Sequence, residues 1–407
     1  MAFHSLSTWS QTVLSCLLLL AAAITTLQED LEGGTKHLYQ NANSDKEDDI
    51  CVSKDDGQCT KFKRLLRLEG HEVGHIQEVE IQDGKKHLMK TFNMKPLIFE
   101  IPDFFTEEEC DRIIELAEVQ GLQSSVTHNH DRSSGIRLLD RDGDRKLSLT
   151  EMRRTIEEGF DLYLVEEDLK KLYSELDLDV NQDGFISKDE MQRVSVPQMK
   201  AYLLNLIKEK PVKKSRMSSQ TWIYPDRTND PLVESFQQRI SRLTQLPDIM
   251  INSNSYFQVV RYGKEGHYNA HHDSGDNFNY PCCHTVEHKK CEICRYATIM
   301  VYLNNVEEGG ETAFPVANNE TYDEEIFRNS GIMNLNQYCK HANLKLFPKK
   351  GTAVLWYNHF INETTGWMGS VDKFTWHGGC PVIKGEKWIM NRWIAASPDP
   401  KKDLGYS

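Results

Sequence analysis

Two twelve-residue stretches, DRDGDRKLSLTE at 140–151 and DVNQDGFISKDE at 179–190, set oxygen-bearing side chains at alternate positions and end on a glutamate. A hard divalent cation needs six or more oxygens around one point, and a tight loop with alternate residues turned inward supplies them. In the second stretch Asp179, Asn181 and Asp183 stand at positions one, three and five. Phe185 offers its carbonyl at seven, and Glu190 can give two oxygens. Gly184 permits the sharp turn, and Ile186 pairs the loop with its neighbour. The first stretch has Asp140, Asp142, Asp144, the carbonyl of Lys146 and Glu151 in the same places, but Arg145 replaces the glycine. That change weakens a loop without removing a ligand, so the second loop is expected to bind Ca2+ more tightly. Two such matches, 39 positions apart and flanked by helix-forming sequence, predict a pair of EF-hands over 133–197. Whatever else the chain builds, it must include this small helical unit.

The remainder reads as a different kind of structure. Thr106 and Glu109 form a capping box ahead of an apolar stripe at Ile113, Ile114, Leu116 and Ala117, which predicts a helix. Alternation through HIQEVEI and KPLIFEI predicts strands between Phe62 and Phe99, with a hairpin at Asp83-Gly84. After Pro197, QMKAYLLNLIKEK predicts a further helix. From about Thr221 to Ile394, short β-prone runs at Trp222, Phe257, Thr298, Thr352 and Trp388 are separated by Gly, Asn and Pro. Short strands at that spacing predict a jelly roll or related barrel, and hence an α+β chain.

Among the 15 histidines, only His271 has an acid two residues onward, at Asp273. On a strand, residues i and i+2 share a face, so His271 and Asp273 can bind one metal together. His377, in FTWHGGCPVIKGEKW, is the natural third ligand. Two histidines and a carboxylate make the facial triad of non-haem Fe(II) oxygenases, with coordination positions left open for substrates. Lys387 follows His377 by ten residues and is expected on the next strand of the same sheet, where its ammonium can meet the distal carboxylate of 2-oxoglutarate. By the strand period Lys387, Ile389 and Asn391 share one face.

From about Pro96 to Pro398 the chain resembles the transmembrane prolyl 4-hydroxylase family. KPLIFEIPDFFTEEEC, VVRYGKEGHYNAHHDSG, RYATIMVYLNNVEEGGETAFPVA, KKGTAVLWYN and HGGCPVIKGEKWIMNRWI carry the resemblance, together with the EF-hand insertion. It implies a double-stranded β-helix (jelly-roll) catalytic core with flanking helices and an inserted EF-hand pair. Residues 61–132 would be the N-terminal part of the catalytic domain and 198–400 its dioxygenase core. It further implies iron on His271, Asp273 and His377, and 2-oxoglutarate on Lys387 with the hydroxyls of Tyr262 and Thr312. The implied reaction is hydroxylation of prolyl residues of a peptide or protein at the 4-position, using O2 and releasing succinate, with ascorbate as the reductant that rescues oxidised iron. A lysyl hydroxylase of the same superfamily is the rival within enzymes, though related lysyl enzymes carry Arg at the place of Lys387. A non-catalytic calcium-sensing binding protein is the rival outside them, and four intact site residues speak against it.

The apolar run from Val13 to Ile24 reads as a signal peptide or a short signal-anchor within residues 1–27, since Ala21 and Ala23 give a small-residue cleavage pattern. Residues 28–60 read as an acidic flexible linker. These features predict the endoplasmic reticulum, with the catalytic part in the lumen and possible membrane association through the apolar run. Nine cysteines beyond Cys16 fit an oxidising lumen, where most pair and at least one stays free. The cluster at Cys282, Cys283, Cys291 and Cys294 suits disulfides better than zinc. Asn319 and Asn362 head glycosylation sequons. A formal net charge of -13 argues against a nucleic-acid partner. Oligomeric state is left open by the sequence.

Overall fold

The computed structural model describes residues 50–53, 59–62, 64–126, 140–193, 195–252, 256–275 and 295–404. The apolar run, most of the acidic linker and the Cys282–Cys294 cluster lie outside these residues. Among the described residues no helix is long and apolar enough to cross a membrane.

Among the described residues, nine strands form the larger sheet, in the order Ile76–Gln82, Lys85–Met94, Leu97–Ile101, Ala353–Tyr357, Arg295–Tyr302, Lys387–Ala395, Phe257–Tyr262, Ser219–Ile223 and Gln123–Ser124. Five of the described strands form the smaller one, in the order Leu344–Leu346, Thr312–Phe314, His377–Gly379, His267–His271 and Arg216–Met217. Neighbouring strands are antiparallel. Val260, Met300, Val354 and Ile389 of the larger sheet pack on Phe314 and Leu346 of the smaller, so each sheet buries one face against the other. The five expected β-prone runs are all strands, and the hairpin turns at Asp83-Gly84, where Gly84 takes φ +69°. That left-handed value costs glycine nothing.

The helix Glu107–Gln120 begins at Thr106 with the expected capping box and buries Cys110, Ile113 and Ala117. Its partners lie in the barrel half of the chain: Glu109 pairs with Arg239, Asp111 with Lys350, and Arg112 with Asp230. A second buttress, Pro231–Thr244, was not anticipated from the sequence. Its signals are ordinary, an Asp230 cap, a first-turn proline and an apolar stripe through Val233, Phe236, Ile240 and Leu243.

The helical unit holds its own core, in which Met152, Ile156, Leu169, Leu172, Met199 and Leu203 pack around Leu147 and Ile186. Leu147 and Ile186 face each other across a two-residue ladder joining the two acidic loops. The exit helix of the first loop, Leu149–Phe160, also touches the barrel half. Arg153 donates to the carbonyls of Arg328 and Asn329, and Arg154 pairs with Glu325.

One placement differs from expectation. His377 lies in the smaller sheet, but Lys387 lies in the larger one. Between them Val382–Lys384 pairs with Glu308–Gly309, and the chain crosses from one sheet to the other. The ten-residue spacing thus sets His377 and Lys387 on opposite walls of one cavity. Local alternation of residues carries no signal for such a crossover.

Candidate active site

His271 is the last residue of its strand and faces His377 directly across the ladder of the smaller sheet. Asp273 lies just past that strand end and returns to the same side. The Nε2 atom of His271 is 3.8 Å from Asp273 Oδ1, and that of His377 is 3.5 Å from Asp273 Oδ2. One donor atom from each of the three lies within 4.8 Å of the others. Each imidazole donates its Nδ1 hydrogen to a backbone carbonyl, His271 to Asn269 at 2.9 Å and His377 to Thr375 at 2.8 Å. Both Nε2 lone pairs therefore face the gap, which is the arrangement a metal requires. Burial, and then the nearby His377, lower the imidazole of His271, so it stays in its neutral, ligating form. Burial alone would raise the Asp273 carboxyl. The charges of His377, Arg295 and His271, with the Thr298 hydroxyl, outweigh it and hold Asp273 below the ordinary carboxylate range. Two imidazoles and an ionised carboxylate fit a divalent cation of the first transition row.

On the opposite wall Lys387 is 2% exposed. Its Nζ donates to Thr312 Oγ1 at 3.3 Å, its one hydrogen bond among the described residues. Burial lowers its ammonium to about 7. Such a group calls for an anion, and a carboxylate entering beside it would meet one cation and a cluster of hydroxyls. The Tyr302 hydroxyl donates to Thr312 Oγ1 at 2.8 Å. The rings of Tyr262 and Tyr302 lie 5.5 Å and 5.6 Å from the Lys387 ammonium. Met300, Trp356 and Ile389 supply apolar walls, and Asn391 lines the cavity beside Ile389 and Lys387, as the strand period requires.

Residues 257–395 fit the family described as the 2OG-Fe(II) oxygenase superfamily, and residues 177–195 fit the EF hand. Transmembrane prolyl 4-hydroxylase of Homo sapiens is 37% identical over 356 residues, covering 82% of this chain and 70% of that protein. The Mus musculus protein of the same name gives the same identity and coverage. The chain belongs to the prolyl 4-hydroxylase family. A plant member, Prolyl 4-hydroxylase 13 of Arabidopsis thaliana, is 29% identical over 215 residues, covering 52% of this chain and 68% of its own.

For a prolyl 4-hydroxylase, residues that act on the site through its ligands carry weight that the sequence does not mark. Tyr302 reaches Thr312, and Thr298 reaches Asp273 at 2.7 Å. With Met300 they alternate along one strand, so the period-two rule applied to RYATIMVY would have put all three on one face. Arg216 lies 4.6 Å over the Tyr268 ring, which stacks on His271 at 3.7 Å. It also engages the Tyr262 hydroxyl.

In the acidic loops Asp140, Asp142 and Asp144 bring one oxygen each within 4.8 Å of the others. Asp140 accepts from the amides of Gly143 and Arg145, and Asp179 from those of Asp183 and Gly184. Glu151 and Glu190 each accept from the second residue of their own loop, Arg141 and Val180. Asn181 bonds Asp183, Phe185 donates its amide to Asp183, and Lys146 lies 3.6 Å from the same carboxylate, joining the loops. Arg145 holds φ +68° where Gly184 holds +86°, while Gln182 holds +59° where Gly143 holds +78°. Each loop therefore carries one non-glycine residue in the left-handed region, and the strain expected of the first has a counterpart in the second.

Cys339 and Cys380 form a disulfide, and Cys110 is a buried free thiol. Asn362 is exposed in a turn, and Asn319 accepts from the amide and hydroxyl of Thr321.

Proposed function

We propose that this chain hydroxylates prolyl residues of a peptide or protein substrate at the 4-position, with Fe(II) on His271, Asp273 and His377 and 2-oxoglutarate on Lys387. Convergence of the three donor atoms opposite a buried ammonium whose one hydrogen bond among the described residues is to Thr312 supports this most directly. Iron with 2-oxoglutarate supplies the activation of O2 needed to put oxygen into an unactivated C–H bond, and ascorbate keeps the metal ferrous. The protein's part is geometry. Asn269 and Thr375 fix the imidazoles, and Thr298 fixes the carboxylate. Lys387, Thr312 and Tyr302 take the distal carboxylate, with Tyr262 completing the wall, and the apolar lining excludes water from the reacting edge.

Asp140, Asp142, Asp144, Lys146 and Glu151 form one calcium site, and Asp179, Asn181, Asp183, Phe185 and Glu190 the other, within an inserted unit of residues 133–197. Residues 61–132 and 198–400 together make the catalytic domain. The enzyme works in the lumen of the endoplasmic reticulum. The Cys339–Cys380 disulfide, which needs an oxidising compartment, supports that address, and the mammalian relatives are named as transmembrane proteins. Asn319 and Asn362 are available there for glycosylation. Release of succinate measured with iron, 2-oxoglutarate and ascorbate tests the activity. Stimulation by prolyl peptides, and none by lysyl peptides, is expected; the reverse pattern refutes it.

A further inference from the structure

Behind Asp273 runs a chain of buried hydrogen bonds whose direction is fixed at its far end. The Trp356 indole nitrogen donates to Asn358 Oδ1 at 2.9 Å. An indole N–H can only donate, so the oxygen of the Asn358 amide must face it and the NH2 must face the other way. That NH2 donates to Thr298 Oγ1 at 2.9 Å and to the Arg295 carbonyl at 3.0 Å. With its lone pair engaged by Asn358, the Thr298 hydroxyl points its hydrogen at Asp273 Oδ2, at 2.7 Å. Trp356, Asn358 and Thr298 are each 1% exposed and Asp273 is 4% exposed, so water has no place to substitute for any link.

We infer that Trp356, Asn358 and Thr298 are positioning residues that lock the rotation of the Asp273 carboxylate for metal binding. The inference rests on His271, Asp273 and His377 being metal ligands. Oδ2 is pinned by the hydroxyl, while Arg295 lies 3.7 Å from Oδ1 on the other side. Each oxygen keeps a lone pair for a cation, but the carboxylate plane cannot turn away. Trp356 acts at two points of the site, because its ring also packs edge-on against His377, with centroids 4.8 Å apart. The donor run has one sense only. The Thr298 hydroxyl gives its hydrogen to Asp273, which can only accept, and its lone pair takes the Asn358 amide hydrogen.

The test is Co(II) binding to the apo full-length chain, read by titration and by the visible absorption of the bound ion. Thr298→Val keeps the shape and removes the donor. Its Co(II) affinity is expected to fall about 10–100-fold, with an altered absorption envelope, and Thr298→Ser is expected to restore both. Trp356→Phe keeps a ring beside His377 and removes the fixed donor, so it is expected to lose part of that affinity with a melting temperature close to wild type. In the double variant the losses should not add, because both act through one hydroxyl. Wild-type affinity in Thr298→Val, or additive losses in the double variant, overturns the relay. If Thr298→Val does not fold, wild-type Co(II) affinity in Trp356→Phe overturns it equally. A wild-type chain that binds no Co(II) instead refutes the metal-ligand assignment itself.

Discussion

Asp273 and the aspartates of the first acidic loop gather charge by different means. Asp273 is 4% exposed, and besides its neighbour His271 its partners come from distant parts of the chain: Thr298, Arg295 and His377. Asp142 and Asp144 are exposed, and the loop organises itself, with Asp140 accepting from amides three and five residues on. A buried site built from long-range contacts is rigid before its metal arrives, and losing one member leaves the others desolvated and unpaired. An exposed loop built from local contacts is solvated when empty, and its ion mostly stabilises the helices it joins. Substitutions in the barrel should therefore cost far more function than those in the loops.

The largest effect is expected from removing a ligand. His377→Ala should lower Co(II) or Fe(II) affinity by more than about a hundredfold and abolish succinate release, since even supporting residues are worth ~10–100-fold. Calorimetry on the apo chain checks the affinity. Residual turnover near wild type would erase the contrast between pocket and loops.

Lys387→Ala should come next. It leaves the co-substrate carboxylate buried and unpaired, a loss of roughly 3–5 kcal/mol, or a few hundred- to a few thousand-fold in the KM for 2-oxoglutarate. Metal affinity should be spared, because no ligand is touched. The pH dependence sharpens the point. Burial lowers the free ammonium to about 7, so above that pH binding of the carboxylate must take up a proton. The KM for 2-oxoglutarate should be flat below that pH and rise by about tenfold per unit above it. Lys387→Arg should remove this slope. A flat profile in the native chain would place the cation elsewhere.

Calcium removal should have a smaller and separate effect. Stripping the loops with a calcium-selective chelator is expected to lower the melting temperature of the helical unit while Co(II) affinity of the barrel is unchanged. Parallel loss of both in a Co(II) titration would show that the two regions are not independent. The smallest effect should come from Arg145→Gly. Relief of the left-handed strain is worth about 1 kcal/mol, or roughly fivefold in first-loop calcium affinity. Calorimetry resolves the two loops. Equal affinities in the native chain would follow from the matching strain at Gln182 and would contradict the tighter second loop expected from Arg145.

The same local-versus-distant division decides what could be read from residues alone. That Asp140, Asp142 and Asp144 come together is legible from the sequence, because their spacing lies along one short segment. The His271-Asp273 pair was legible for the same reason, and the capping box at Thr106 and Glu109 likewise. Lys387 was found by its distance from His377 but assigned to the wrong sheet, since a crossover through Val382–Lys384 leaves no periodic trace. Thr298 and Asn358 carry no such signal because each acts through a partner far off in sequence: Thr298 25 residues from Asp273, Asn358 60 from Thr298. Arg153 and Arg154 look like ordinary helix-surface charges until the carbonyls and carboxylate of residues 325–329 come against them.

The central claim is that the two histidines, Asp273 and Lys387 serve one reaction on a prolyl substrate. Incubation with isotopically heavy O2, Fe(II), 2-oxoglutarate, ascorbate and a proline-bearing peptide, followed by mass spectrometry, tests it most directly. One heavy oxygen atom should appear on a proline ring and the other in succinate, in equal amounts. Label in succinate with an unmodified peptide, or label carried on lysine, would contradict it.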